Sequence, residues 1–299
     1  METAKISVPV IDLANCFVQA GKQKLAAAIT EMGCFRVINH GFPAALAAEM
    51  RAIVPSLMEH RRNTEVSAGS GYMAPNQYSQ IAPLQESLGI YNAASSEEVH
   101  SFCSLMHVSP QQRETISEYA SKLHDLIVDI ASKVTDCLGV EGFSFQEWPC
   151  RLGLNRYNFT EETIGSIGAP IHTDSSFLTI VQEEESIGGF EIADAAGNFV
   201  AIDPVPGTFW VNIGDMGKVW SNGRLQNVKH RVICKKASQR FSIVLFMFPP
   251  ENSMVEPQAA FIDSKHKRLY GTIDLPEYRK LRLSSKLTAG ELLSHYSLE

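Results

Sequence analysis

The chain has no C-x-x-C pair, no long basic run and no apolar stretch of bilayer length. Each absence removes a class of protein. The six cysteines (Cys16, Cys34, Cys103, Cys137, Cys150 and Cys234) are scattered singly through 299 residues. They read as reduced thiols rather than a disulfide frame, as expected of a cytoplasmic protein. A net charge of -7 without a basic patch argues against nucleic acid or an anionic membrane surface as the partner. The opening "METAKISVPVIDL" lacks the apolar core and cleavage site of a signal peptide, and no segment is long enough to span a membrane. The sequon Asn158-Phe159-Thr160 is therefore expected to stay unmodified.

Several catalytic signatures are missing too. There is no G-x-S-x-G, no H-E-x-x-H and no P-loop. "GSGYMA" at 69–74 matches G-x-G-x-x-A, but "RNTEVSA" before it is no buried strand, which excludes a dinucleotide fingerprint. No internal repeat or low-complexity segment is present. What remains is 44% hydrophobic and 20% charged, enough apolar material for a large core around a small-molecule site.

The pattern changes along the chain. "GKQKLAAAITEMG" places Leu25, Ala28, Ile29 and Met32 at helical spacing and stops at Gly33. "CFRVINH" reads as an early strand. "FPAALAAEMRAIVPSLMEHRR" reads as a helix kinked or broken near Pro55. "SSEEVHSFCSLM" offers serine caps and early acids. "SPQQRETISEYASKLHDLIVDIASKVTDCLG" carries a long stripe from Ile116 to Leu138, with Pro110 at its start and Gly139 at its end.

From residue 151 the period becomes two. "RLGLNRYNF", "FLTIVQE", "GFEIAD", "NFVAID", "TFWVNIGD", "HRVICK" and "RFSIVLFMF" are short strands separated by turn residues. Seven such strands predict a jelly roll or sandwich. The expected class is α+β: a largely helical region over 1–150, a double-stranded β-helix (jelly-roll) core over 151–250, and a C-terminal extension with a helix over 251–299. No flexible linker marks the boundary, so one unit of 299 residues is expected.

Of the nine histidines, most have no acidic partner at ligand spacing. His172 and Asp174 differ. In an extended segment residues i and i+2 point to one side, so "IHTDSSF" presents an imidazole and a carboxylate to one point. Such a pair alone is common by chance. His230 opens a strand fifty-five residues after Asp174 (175 through 229) and completes two imidazoles and one carboxylate. That set leaves one face of a metal open, as in non-haem Fe(II) oxygenases, and closed zinc would need four ligands.

On "RFSIVLFMF", Arg240 and Ser242 share a face with Val244, Phe246 and Phe248. A guanidinium inside an apolar barrel needs a partner. A ligand carboxylate would match its fork, and a distant Asp or Glu would serve equally. Tyr157 shares its strand face with Asn155 and Phe159, and its phenol either faces this site or bonds backbone.

His172-x-Asp174, His230 and Arg240-x-Ser242, together with "VPVIDL", "GCFRVINHG" and "VPGTFWVNIGDMGKVWSNGRLQNVKHRV", resemble the plant iron- and 2-oxoglutarate-dependent dioxygenases over nearly the whole chain. Within that family the sequence is most similar to the branch that oxidises the auxin indole-3-acetic acid. The resemblance implies Fe(II) on His172, Asp174 and His230. It implies 2-oxoglutarate with its far carboxylate on Arg240, Ser242 and Tyr157, and Asn155 near its keto acid end. O₂ would be the second co-substrate and ascorbate an accessory reductant. The products would be succinate, CO₂ and 2-oxindole-3-acetic acid. One departure is Asn158, where many relatives follow the tyrosine with proline. A flat substrate needs aromatic walls. Phe177 beside the metal motif is the expected wall, Phe246 a further one, and Tyr72, Met73 and Tyr78 the expected lid; each would otherwise be an ordinary core or loop residue. Alternatives are another plant substrate (a flavonoid, a gibberellin or a glucosinolate precursor), a relative that keeps the triad but not 2-oxoglutarate, and a non-catalytic jelly-roll binding protein.

Overall fold

The computed structural model describes residues 7–60, 71–73, 84–250 and 252–298, with the backbone alone at 60 and 71–73. Among the described residues, four α-helices precede residue 150: α1 (Gln19–Ala27), α2 (Ala44–His60), α3 (Ser96–Leu105) and α4 (Pro110–Cys137). The longest, α4, starts with Pro110 in its first turn, where a missing N–H costs nothing. Ser109 and Gln112 close a reciprocal capping box there. Its stripe, Ile116, Tyr119, Leu123, Ile127, Ile130 and Val134, is buried. Of the kink or break expected near Pro55, the break is absent, since α2 continues through it to His60. Burial of Met50, Val54, Leu57 and Met58 offsets the local cost of the proline, typically about 3 kcal/mol. At the end of α1 the chain runs through one π-turn to Gly33, whose φ of 76° belongs to glycine.

Among the described residues, twelve strands form two sheets. Four precede residue 150: β1 (Val10–Asp12), β2 (Cys34–Ile38), β3 (Gly71–Met73) and β4 (Gln85–Ile90). Eight follow: β5 (Cys150–Asn158), β6 (Ile167–His172), β7 (Leu178–Gln182), β8 (Phe190–Ala193), β9 (Phe199–Ala201), β10 (Phe209–Ile213), β11 (His230–Ile233) and β12 (Gln239–Met247). The larger sheet has the order β1-β2-β10-β7-β12-β5-β4-β3, and the smaller β6-β11-β8-β9. All seven expected strands of the jelly-roll core are present. The sequence pattern missed β6, whose Gly168 and Pro170 read as turn residues. A proline is tolerated there because β6 is an edge strand.

The large sheet is two-faced, and the period of two decides what lies on each side. Leu152, Leu154, Ile180, Val211, Ile243 and Leu245 point outward into a buried cluster with the helices. Gly153, Asn155, Thr179, Asn212, Ser242 and Val244 point inward and line a cavity between the sheets. After β12 comes α6 (Leu275–Ser285), capped by Asp274. It packs with α5 (Asp215–Trp220) through Leu275, Tyr278, Met216 and Val219. No described helix is long and apolar enough to cross a membrane.

One buried polar tie joins the layers. The Tyr119 hydroxyl on α4 donates to Gln182 Oε1 on β7 at 2.6 Å, and Gln182 Nε2 donates to the Ala47 carbonyl on α2 at 3.0 Å. Tyr119→Phe leaves that amide oxygen buried without its donor. The expected cost is about 1–3 kcal/mol, read from urea unfolding against the parent chain.

Candidate functional site

The three expected metal ligands meet at the end of the small sheet. His172 closes β6, His230 opens β11, and the two are direct cross-strand partners with ring centroids 4.1 Å apart. Asp174 enters from the β6–β7 loop. The Nε2 atoms of both histidines lie 3.7 Å from the same oxygen, Asp174 Oδ1. One ligand atom from each residue falls within 4.8 Å of the others.

The backbone sets the tautomers. His172 Nδ1 is 2.8 Å from the Pro170 carbonyl and His230 Nδ1 is 3.2 Å from the Val228 carbonyl. A carbonyl only accepts, so each Nδ1 carries the proton and each Nε2 offers a lone pair to the cluster. Burial, then the neighbouring His230, push the His172 imidazole well below its ordinary range and keep it neutral at pH 7. Burial pushes the Asp174 carboxyl up, while the two imidazoles beside it and hydrogen bonds from Thr179 and Asn212 together bring it below its ordinary value. Three electron-pair donors thus face one another with no hydrogen between them. The arrangement fits a divalent cation and little else.

The loop holding Asp174 is locked by backbone contacts. Gly214 N donates to Phe177 O at 3.0 Å, Asp215 N to Asp174 O at 2.7 Å and Met216 N to Ser176 O at 3.1 Å. Gly214 permits this approach, since a Cβ there would lie 2.1 Å from Ser176 O. From the other side the C-terminal segment clamps the loop. Thr173 N donates to Thr288 O at 2.9 Å, and Arg282 donates to the carbonyls of Thr173 and Thr288. Arg282 also meets Asp215 Oδ2 at 3.0 Å, beside the Tyr278 hydroxyl at 2.7 Å. Burial pushes the Asp215 carboxyl up and Arg282 pulls it back.

Opposite the cluster, Arg240 on β12 pairs with Tyr157 on β5, and Ser242 with Asn155. Arg240 is 3% exposed, sits 5.2 Å over the Tyr157 ring, and its Nε is a buried donor without a protein acceptor. No acid lies within ion-pair distance of it among the described residues. Of the two acids lining the cavity, Asp174 belongs to the cluster and Glu183 is ion-paired with Arg36 at 2.5 Å, with the Arg240 charge a smaller influence on it. Burial pushes the Tyr157 phenol up, with Arg240 and Ser242 pulling the other way. Asn155 Oδ1 accepts from Ser87 Oγ at 2.6 Å, and its Nδ2 donates to Ser242 Oγ at 3.4 Å. All these groups share one cavity of about 300 Å³.

The substrate-wall expectations fare unevenly. Phe246 lines the cavity. Phe177 does not: it is 0% exposed and packs among Phe145, Trp148 and Trp220 in the outer core. The loop after Asp174 turns before β7 begins, so two-residue alternation no longer applies, and Phe177 N bonds back to Met247 O at 2.9 Å. Tyr72 and Met73 lie on β3, where the backbone alone is described; Met73 pairs in register with Ser87. Tyr78 lies outside the described residues.

Sequence reasoning passed over Asn212. Its Nδ2 donates to Asp174 Oδ2 at 3.3 Å, while its Oδ1 accepts from Trp210 Nε1. The signal was present, as Asn212 is the one polar residue in the apolar strand "FWVNI". Arg282 and Asp215 carried no such signal, because tertiary packing alone brings α6 to the metal loop.

Comparison with known proteins matches residues 149–249 to the 2OG-Fe(II) oxygenase superfamily. The chain is 45% identical to a 2-oxoglutarate-dependent dioxygenase DAO of Oryza sativa subsp. indica, covering 97% of this chain and 98% of that protein. The crystal structure of the rice dioxygenase for auxin oxidation superposes with a TM-score of 0.90 at 44% identity, over 97% of this chain and all (100%) of that one. A dioxygenase for auxin oxidation from Arabidopsis thaliana, in binary complex with 2-oxoglutarate, gives 0.81 at 43% identity, over 88% of this chain and 100% of that one.

Asn212 orients the carboxylate oxygen that does not face the histidines. Asn212→Leu is expected to weaken divalent metal binding by about 10–100-fold. Titration with Co(II) followed by calorimetry reads this, and unchanged affinity would exclude the role.

Proposed function

The chain belongs to the 2OG-Fe(II) oxygenase superfamily, and from that membership we propose that it oxidises indole-3-acetic acid to 2-oxindole-3-acetic acid. One molecule each of 2-oxoglutarate and O₂ is consumed; one oxygen atom enters the indole C2 position and the other enters succinate, with loss of CO₂. The observation that carries the co-substrate is the buried Arg240 guanidinium with an unpartnered Nε, in the same cavity as the His-Asp-His cluster. The auxin substrate is supported by 45% identity to a rice DAO dioxygenase along 97% of the chain.

On this reading His172, Asp174 and His230 hold Fe(II), and the donor set and its ionisation fit that ion. Bound there, iron supplies open positions for a keto acid and O₂ and the redox chemistry that couples decarboxylation to oxygen insertion. The protein's part is positioning. Arg240 receives the far carboxylate of 2-oxoglutarate through its fork, with Ser242 and Tyr157 donating hydroxyls beside it. Asn155, fixed by Ser87, stands next along the same wall and orients the keto acid end. Val181, Phe190, Val232 and Val244 surround these groups and exclude water.

Incubation with Fe(II), ascorbate, 2-oxoglutarate, O₂ and a panel of plant acids tests the reading. Indole-3-acetic acid should give a product heavier by one oxygen with an equal amount of succinate. If another acid reacts while indole-3-acetic acid is untouched, the substrate assignment falls; if no acid yields succinate, the enzyme assignment falls. Arg240→Ala should raise the KM for 2-oxoglutarate about tenfold or more, in keeping with loss of charge-assisted hydrogen bonds. His172→Ala should abolish turnover.

A further inference from the structure

The cavity has a second cationic end. Strand β5 gives it Arg151, Gly153, Asn155 and Tyr157 in unbroken alternation, and β12 answers with Phe246, Val244, Ser242 and Arg240 in register. Six residues of strand separate Arg151 from Tyr157, roughly 20 Å at about 3.4 Å per residue. One end is closed and polar, with Arg240 and Tyr157 only 3% and 4% exposed. At the other end Arg151 and Phe246 are half-buried on the rim. Between the two ends the wall carries the polar pair Asn155 and Ser242 and then, next to Arg151 and Phe246, the pair Gly153 and Val244.

Gly153 is unusual in its own right. It sits in the interior of a central strand, where glycine weakens pairing. Packing does not demand it. A Cβ at this position would meet Phe246 Cε2 and Val244 O at 3.8 Å, ordinary contact distances. Its cross-strand partner is Gly89, which in turn pairs with Gly71. A strand-interior glycine without a packing or φ requirement marks a place where something else approaches the backbone. Here that place is a flat floor ending in an aromatic ring and a guanidinium.

We infer that Arg151 binds the carboxylate of a planar aromatic acid whose ring lies on Gly153 and against Phe246. The inference deepens the auxin reading and rests on it. A third cavity guanidinium, Arg282, is committed to the fold: its two terminal nitrogens hold Asp215 and the carbonyls of Thr173 and Thr288. Arg151 stands on the rim with five N–H donors, so it can take a ligand carboxylate alongside a protein contact. The two carboxylate ligands then enter the barrel with their charges at opposite ends. Their reacting portions are left between, facing the histidines of the other sheet.

The test compares planar aromatic acids with their primary amides, which keep shape and lose charge, in the parent enzyme and in Arg151→Gln and Arg151→Lys. The parent should prefer indole-3-acetic acid to indole-3-acetamide. Arg151→Gln should lower that preference about tenfold or more, mainly through KM, while Arg151→Lys keeps part of it. The anaerobic visible band of the Fe(II)–2-oxoglutarate complex reports on the far end, and its 2-oxoglutarate dependence should be unchanged, which separates lost recognition from lost fold. Gly153→Ala should raise KM more for bicyclic than for monocyclic acids. An acid-to-amide preference unchanged in Arg151→Gln overturns the inference and leaves the auxin reading standing. If the parent enzyme acts on a different aromatic acid, the auxin reading fails, and the same ratio with that acid decides the inference. A parent enzyme that oxidises indole-3-acetic acid with no preference for it over its amide overturns the inference alone.

Discussion

Three lone pairs pointed at one spot repel one another, and the fold spends much of its rigidity holding them there. His172 and His230 are forced together because they are register partners across β6 and β11. Asp174 is forced between them because the β6–β7 loop is pinned by the backbone of Gly214, Asp215 and Met216 on one side and by Thr288 and Arg282 on the other. These contacts are made within the chain, and ligands held by such contacts lower the ordering cost of binding a cation.

The period of two in the large sheet explains how one structure supports both this site and a stable core. Along β12 the residues at 241, 243, 245 and 247 are apolar and face the helical layer, while those at 240, 242, 244 and 246 face the cavity. A slip of one residue would put Arg240 into the helical core and Ile243 into the cavity. Register is thus fixed by the outer face, and the inner face is free to carry costly groups such as an incompletely satisfied guanidinium. The same logic runs through β5 and β10. Stability resides mostly on one side of the sheet and chemistry on the other.

That division also decides what could be read from the sequence. The jelly-roll strands announced themselves because alternation is local, and His172, Asp174, His230, Arg240 and Ser242 stood out because charged or imidazole groups interrupt apolar runs. β6 was hidden by Gly168 and Pro170, which punctuate loops as readily as edge strands. Phe177 was misplaced because it was chosen for standing beside the metal motif in sequence, and nearness in sequence does not fix the side of a bend on which a side chain falls. Arg282 and Asp215 were invisible for a deeper reason. Their meeting is set by how α6 docks under the metal loop, and docking is a property of whole surfaces rather than of residue spacing.

The docking of α6 has a consequence for how the site can vary. Asp215 is fully buried and draws in Tyr278, Arg282 and Asn227, so the C-terminal segment is tied to the loop that presents Asp174. A buried carboxylate with three donors is expensive to disturb, since removing one partner leaves the rest uncompensated. Loss of a partner there is expected to disturb the loop that presents Asp174. The rim formed by Arg151 and Phe246 lies beside this lock, since Met247 pairs with Leu178 just after the metal loop and Phe246 packs against the cluster that joins α5 to α6. Arg151 stands outside that cluster, so of the two rim residues it is the one whose substitution can alter which ligand enters while leaving the pinned loop where it is.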